Sequence, residues 1–378
     1  SAFGDKIKFS CIFSPGCVSV WICGIRRRYC KGNAEEMPRL SEPLNMSSIK
    51  EQQNELNEWI RFGLRLGLQS ALHPFEYAKV LIQIGYEPVA PRPVRSILGY
   101  DTMVLPNIFQ YVKYIRGVDG YSGCFRGLAP RLVGTVVSTL GSERIARHFG
   151  CVEEKESSDY DDEVASDSDG YQIGRIEDSG VIEERERRVF QRKLKRDIII
   201  HTSTILIAQP FQVISIRMMA QFVGRETIYS SIWASMKEIY HDHGLLGFFS
   251  GLVPRLVGDI TCLVLASTTA YFVNKHFVSD KDSRKLVPIF TNFVYSTIFY
   301  PFQVVSVCMS LTGASLAAGR PPHMPIYSHW RECWQHLNCT GELKRGSSLF
   351  WRYYRTPEVI NKNFPMTFAP LPTVTKYK

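Results

Sequence analysis

Five apolar stretches, at about 59–85, 128–149, 197–222, 252–277 and 286–312, limit what this chain can fold into more than any other feature. Each reaches or exceeds the roughly 20 residues that a helix rising 1.5 Å per residue needs to cross a bilayer. Three of them carry the same internal mark, a Pro-Phe pair, in 73-HPFEYAKV-80, 209-QPFQVISI-216 and 300-YPFQVVSV-307. A proline inside a helix leaves the carbonyl four residues earlier without its donor and kinks the axis. The competing reading, buried helices of a soluble bundle, accounts poorly for five such stretches in regular order.

The ordinary mean hydropathy of −0.10 conceals a segregation of charge. Residues 151–186 hold fourteen Asp or Glu against three Lys or Arg, a local charge of −11, so the remainder carries +20 to reach the net +9. Such a stretch cannot bury enough apolar surface to fold and reads as a solvated linker, with a docking site for basic partners as the sharper alternative. Phosphorylation at Ser158, Ser166 or Ser168 would deepen its charge. The basic run 187-RRVFQRKLKR-196 marks the headgroup boundary of the next apolar stretch. Ten cysteines show neither metal spacing nor a disulfide framework. No phosphate-cradling glycine loop or catalytic motif is present, so no enzyme, cofactor, metal or nucleic-acid partner is expected.

A second mark follows the first two Pro-Phe pairs, 119-DGYSGCFRGLAPRLVG-134 and 243-HGLLGFFSGLVPRLVGD-259, and a decayed form, 346-GSSLFWRYYR-355, follows the third. Between the two apolar stretches of a unit lie amphipathic segments, 105–117, 229–244 and 327–337, which read as interfacial helices. The pattern Pro-x-acid-x-x-base followed by acid-Gly-x4-aromatic-base-Gly, in a unit repeated three times, resembles the mitochondrial carrier family over about 55–355. The carrying residues are Pro74, Glu76 and Lys79, then Asp119, Gly120, Phe125, Arg126 and Gly127, with Pro210, Gly251, Pro254, Arg255 and Pro301 in the later copies. The segments 79-KVLIQIGYEP-88, 224-GRET-227 and 251-GLVPRLVGDI-260 are similar to the divergent carrier-homolog branch.

The fold this resemblance implies is an all-α membrane protein, a carrier-like threefold repeat of kinked transmembrane helices with the sixth span missing. Its parts are an N-terminal leader (1–54), repeat one (55–150), a disordered acidic insert (151–190), repeat two (191–280), a truncated repeat three (281–355) and a tail (356–378). The sixth span is missing because 353–378 carries four prolines and no long apolar run. In the family an acid and a base from each repeat close a gate. Here Gln212, Ser215, Gln303 and Ser306 stand where two of the three pairs belong.

Helical phase gathers the polar residues of the spans onto one side. Arg61, Arg65, Gln69, His73, Glu76, Lys79 and Gln83 share a stripe in the first span. His201, Thr204, Gln209, Gln212 and Ser215 share one in the third, and Asn292, Ser296, Gln303, Ser306 and Ser310 one in the fifth. Arg255 and Asp259 stand four apart on the fourth, where they can pair. Charges within a span are costly and face water or a partner. Self-satisfied pairs, Arg255 with Asp259 and Glu76 with Lys79, are the simpler explanation of any single member, whereas a wet groove explains the set. Gly134, Ser138 and Ser142 read as close helix packing.

Three functions stay open. A groove open to lipid suits a membrane-protein insertase, and the resemblance implies the outer mitochondrial membrane, multi-pass topology, and partners that are membrane lipids and tail-anchored or other α-helical clients. The resemblance also permits a non-catalytic receptor or scaffold for a pro-apoptotic protein and lipid metabolism. An inner-membrane solute carrier is disfavoured by the lost charges.

Overall fold

A computed structural model describes residues 46–95, 101–149, 179–278 and 280–354. The leader before Met46, most of the acidic insert and the tail from 355 lie outside the described residues. The chain falls into two compact units, 1–63 and Leu64–Lys378. In the first, Trp59 and Phe62 meet edge to face at 6.4 Å.

The described chain is mostly helical. Helix α1 spans Met46–Gln83, strands β1 and β2 follow at Arg92–Arg95 and Asp101–Leu105, then α2 (Ile108–Gly123) and α3 (Leu128–His148). After the insert come α4 (Ser179–Ala220), α5 (Ile232–His243), a 3-10 turn (Leu245–Phe249) and α6 (Leu252–His276). Helices α7 (Lys281–Ile298), α8 (Tyr300–Leu311) and α9 (Trp330–Cys339) and strand β3 (Arg352–Tyr353) complete it. The three amphipathic segments form α2, α5 and α9, the first two capped by Asn107 and Ser231 accepting from the backbone of Gln110 and Ala234.

Four features depart from the sequence reading. The structure is not wholly helical: β1, β2 and β3 form a small antiparallel sheet, because the chain after α9 returns to pair with β2. Helix α4 begins at Ser179, inside the stretch read as unfolded, and its first turns are tied down by Lys275 to Glu183 and by Arg188 to Glu184. The fifth apolar stretch is broken, with Asp282–Ile298 and Tyr300–Leu311 bent by 52°. Pro301 cannot donate into the preceding turn, so α8 starts afresh there, whereas Pro74 and Pro210 sit inside continuous helices.

The fourth concerns the number of spans. Among the described residues two helical segments are long and apolar enough to cross a membrane, Glu183–Ala220 and Leu245–His276, and the bent pair makes a third if counted as one. Arg61, Arg65, Glu76 and Lys79 interrupt α1, and Arg131, Glu143, Arg144 and Arg147 interrupt α3. At about 63 Å for its 42 residues, α4 is twice as long as a ~30 Å hydrocarbon core, so its basic first half extends beyond.

The core of the second unit lies at one end of the helices. Phe222, just past α4, takes Tyr77, Tyr86 and Tyr114 edge-on at 6.1, 6.1 and 6.3 Å. Toward the other end, large apolar side chains such as Val133, Val137, Leu140, Leu286, Ile289, Phe290 and Phe293 point outward. That distribution suits a lipid-facing surface.

Candidate functional site

The two sequence marks meet in space, three times. The residue before each Pro-Phe donates to the carbonyl before a glycine of positive φ: His73 Nε2 to Arg126 O (3.0 Å), Gln209 Nε2 to Ser250 O (2.9 Å) and Tyr300 OH to Arg345 O (2.8 Å). The glycines that follow, Gly127, Gly251 and Gly346, have φ of 83°, 75° and 74°, a region that side chains rarely adopt. Gly127 and Gly251 also start α3 and α6.

Each of these two helices is then sealed to the next proline-bearing helix. Ser215 Oγ donates to Gly127 O and Ser306 Oγ to Gly251 O, both at 2.8 Å. One turn or two further along, a Cβ on Gly134 would stand 2.7 Å from Phe211 Cβ, and one on Gly258 2.6 Å from Phe302 Cβ. The small residues Gly134, Ser138 and Ser142 are buried there, as close packing requires. Ser215 and Ser306, standing where a gate would carry bases, are therefore fastenings between helices.

Inside these α3–α4 and α6–α8 seams is a pocket of about 220 Å³. It is lined by Glu76, Lys79, Val80 and Gln83 of α1, Arg131 of α3, Gln212 and Ile216 of α4, Arg255 and Asp259 of α6, and Gln303, Ser306 and Val307 of α8. Three cations against two carboxylates leave it one positive charge. Glu76 pairs with Arg131 at 2.5 Å and not with Lys79. Arg255 pairs with Asp259 at 3.6 Å and donates to Gln209 Oε1 at 2.9 Å. Among the described residues Lys79 has no ion pair; its ammonium lies 5.2 Å from the centroid of the Tyr300 ring. Gln303 both lines the pocket and is exposed, so the pocket reaches the surface along α8.

Of the groove residues read from sequence, Glu76, Lys79, Gln212, Arg255, Asp259 and Gln303 are brought together here. The others are not. His73 is buried against Arg126 and stacks on Phe125 at 6.4 Å, and Gln209 is buried behind Arg255, whose guanidinium donates to its amide oxygen. Arg65 and Asn292 are exposed and His201 is half-buried on α4. Asn292 and Ser296 were grouped with Gln303 on one helical face, and the break before α8 separates them. Asp119 serves locally, pairing with Arg126 at 3.1 Å beside Gly120, whose φ of 74° interrupts α2.

Two cations escaped the sequence reading. Arg131 was legible, since it occupies in the first PRLVG the place of Arg255 in the second. Arg217 is fully buried, bonding Ser310 O at 3.1 Å and the Tyr229 hydroxyl at 3.3 Å, and only tertiary contacts reveal it.

One end of the pocket is floored. Gln83 Nε2 donates to the Tyr300 hydroxyl at 2.9 Å, which continues to Arg345 O. Below, the chain after α9 runs back to the segment between α1 and α2: Leu349 O accepts from Ile108 N at 3.0 Å, and buried Arg352 pairs with Glu87 and donates to Pro106 O at 3.0 Å. Burial holds the Glu87 carboxyl above its usual range even though the Arg352 guanidinium pulls the other way.

Residues 199–281 match the family model for mitochondrial carrier proteins. The chain is similar to mitochondrial carrier homolog 2 of Bos taurus, 38% identical over 294 residues that make up 76% of this chain and 91% of that protein. The Homo sapiens carrier homolog 2 is 37% identical with the same coverage. Mitochondrial carrier homolog 1 of Mus musculus is 34% identical over 311 residues, 76% of this chain and 75% of its own length.

Proposed function

The chain belongs to the mitochondrial carrier family, in its divergent carrier-homolog branch, and is a mitochondrial membrane protein; on that premise we propose that it is an insertase. It passes tail-anchored and other α-helical clients into the outer mitochondrial membrane. The observation that carries this reading is the polar pocket drawn from α1, α3, α4, α6 and α8, which reaches the surface at Gln303. A client's short polar flank crosses along these side chains while its apolar segment slides into lipid. Hydrated charge in the wall lowers the cost of taking polar groups through hydrocarbon, which is several kcal/mol per unsatisfied group.

We read the three contacts between proline helices and positive-φ glycines as a threefold carrier scaffold. A carrier gate needs three acid–base pairs. Here Glu76 is engaged by Arg131, Ser215 and Ser306 hold backbone carbonyls, and Gln212 and Gln303 carry no charge. Solute exchange is accordingly the weaker reading. The scaffold role for a pro-apoptotic partner is compatible with the same fold and draws on no feature of the pocket.

The deciding experiment reconstitutes the purified protein in liposomes and measures insertion of a tail-anchored helix and exchange of small solutes side by side. Insertion above protein-free liposomes without solute exchange is expected. Exchange without insertion would overturn the proposal.

A further inference from the structure

Four groups that line the pocket lack the partners that polar groups inside a protein normally have. Among the described residues the Lys79 ammonium has neither a carboxylate nor a hydrogen bond, only the face of the Tyr300 ring at 5.2 Å. Glu76 gives Oε1 to Arg131, and its other oxygen, Oε2, is without a donor. The amides of Gln212 and Gln303 line the same space and bond no other group among the described residues. The remaining cations are engaged, Arg131 by Glu76 and Arg255 by Asp259 and Gln209. What is left over is an ammonium and two amides for an anion, with one carboxylate oxygen for a donor.

The shape narrows the choice of ligand. Gln83 and Tyr300 close the pocket at one end, and it reaches the surface at Gln303. The middle of an extended chain cannot thread a blind pocket, whereas the end of a chain can enter it. At ~30 Å³ for each water-sized group, 220 Å³ holds a carboxylate and its last peptide unit.

We propose that the pocket binds the free C-terminal carboxylate of a polypeptide. Lys79 pairs with the carboxylate, Gln212 and Gln303 donate to its oxygens, and Glu76 accepts from the N–H of the last peptide group. The terminal carboxylate is ionised at neutral pH and cancels the single excess positive charge of the lining. Taking that ionised group out of water is the most unfavourable part of moving a chain end, and a fixed cation with no partner of its own offsets it. That the chain end belongs to an inserting client rests on the insertase reading; the carboxylate site itself does not. On that reading the terminus is held above the floor while the apolar segment behind it enters lipid, and its release is the slow step.

The test measures fluorescence anisotropy of a fluorescein-labelled Ala-Gly-Ser hexapeptide with the full chain in detergent. The peptide is used as the free acid, as the C-terminal amide, and as an amide carrying one internal Asp. The free acid should bind roughly fivefold tighter than either amide, and Lys79→Gln should remove the difference. Equal binding of acid and amide by the unsubstituted chain overturns the proposal and needs no variant. So does a preference that survives Lys79→Gln, which would place the carboxylate elsewhere. Equally tight binding of the internal-Asp amide, or displacement of the free acid by an equal concentration of acetate, overturns recognition of a chain end. In liposomes a tail-anchored helix ending in an amide should insert about threefold faster than the same helix ending in a free acid, and Lys79→Gln should abolish the difference. Equal rates beside an intact binding preference remove the terminus from the passage step, whereas insertion of neither helix sinks the insertase reading and leaves the carboxylate site standing.

Discussion

The α3–α4 and α6–α8 seams are built alike, and the place where α8 meets α1 is built differently. At each of the first two, a serine fastens a glycine carbonyl and a glycine admits a phenyl ring. Where α8 meets α1, the residue in the serine's place is Lys79, whose ammonium stands over the Tyr300 ring, and Gln303 is exposed beside it. Two joints are closed by backbone-to-side-chain contact at van der Waals distance; the third is bridged by charge and amide groups. Packing of the first kind resists solvent and lipid, while polar bridging of the second kind can exchange partners with a passing chain. Substitutions at the closed seams should thus cost stability, and substitutions at the polar side should change passage.

The largest effect is expected for Gly251→Ala. Its φ of 75° disfavours a side chain, and the new Cβ would lie 2.3 Å from Ser306 O. The cost is about 3 kcal/mol or more, read as a lowered unfolding midpoint in detergent, with insertion per folded molecule unchanged. A neutral Gly251→Ala would mean the seam is not closed as described. Next comes Asp259→Arg, which sets two cations side by side in the pocket. Insertion normalised to folded protein should drop about tenfold, equivalent to ~1.4 kcal/mol.

A third change tests how the two half-buried arginines are neutralised. Arg131 reaches across to Glu76, whereas Arg255 uses Asp259 of its own helix, because Gln212 stands where Glu76 does. Thr135 occupies the place of Asp259 in the first copy and bonds Gln69 at 3.2 Å. Glu76→Gln should cost about 2 kcal/mol, below the fully buried range since both groups are partly exposed, and adding Thr135→Asp should recover most of it. Failure of that rescue would show the two arginines are not interchangeable. Lys79→Gln, removing a pocket cation that has no ion pair among the described residues, should speed an apolar client roughly threefold without a change in melting temperature. The smallest effect is deletion of 155–177: loop closure varies slowly with length, so stability and insertion should both stay within about 0.6 kcal/mol of the intact chain.

The helices and their order were legible because proline pairs, glycine marks and apolar lengths are local signals. Helical phase placed Glu76 and Lys79 on one stripe and four-residue spacing placed Arg255 by Asp259, but the same phase also offered Arg65, His73, His201, Gln209 and Asn292, which do not line the pocket. What failed had non-local causes. The octets around Pro210 and Pro301 are nearly identical, yet only the second breaks its helix, and the residue in front differs: Gln209 stays within α4, while the Tyr300 hydroxyl is drawn to Gln83 and Arg345. The partner of Glu76 was misjudged because Lys79 is near in sequence and Arg131 near in space. The sheet needed β3 to arrive from some 250 residues away, beyond any periodicity in β1 or β2.

That returning strand has a topological consequence. Backbone bonds from Ile108 to Leu349 and from Tyr354 to Met103 join the segment between α1 and α2 to the chain after α9. The connectivity of contacts is thus a ring, and the covalent link through 151–178 is one bond of that ring among several. A polypeptide severed there should behave as a split protein. Fragments ending at 150 and beginning at 179, expressed together, should reassemble through Ser215 on Gly127, Phe211 on Gly134 and Arg352 on Glu87. Co-purification of the halves, abolished when Gly134→Leu blocks the first seam, would show the order of the chain to be less essential to this fold than its closure.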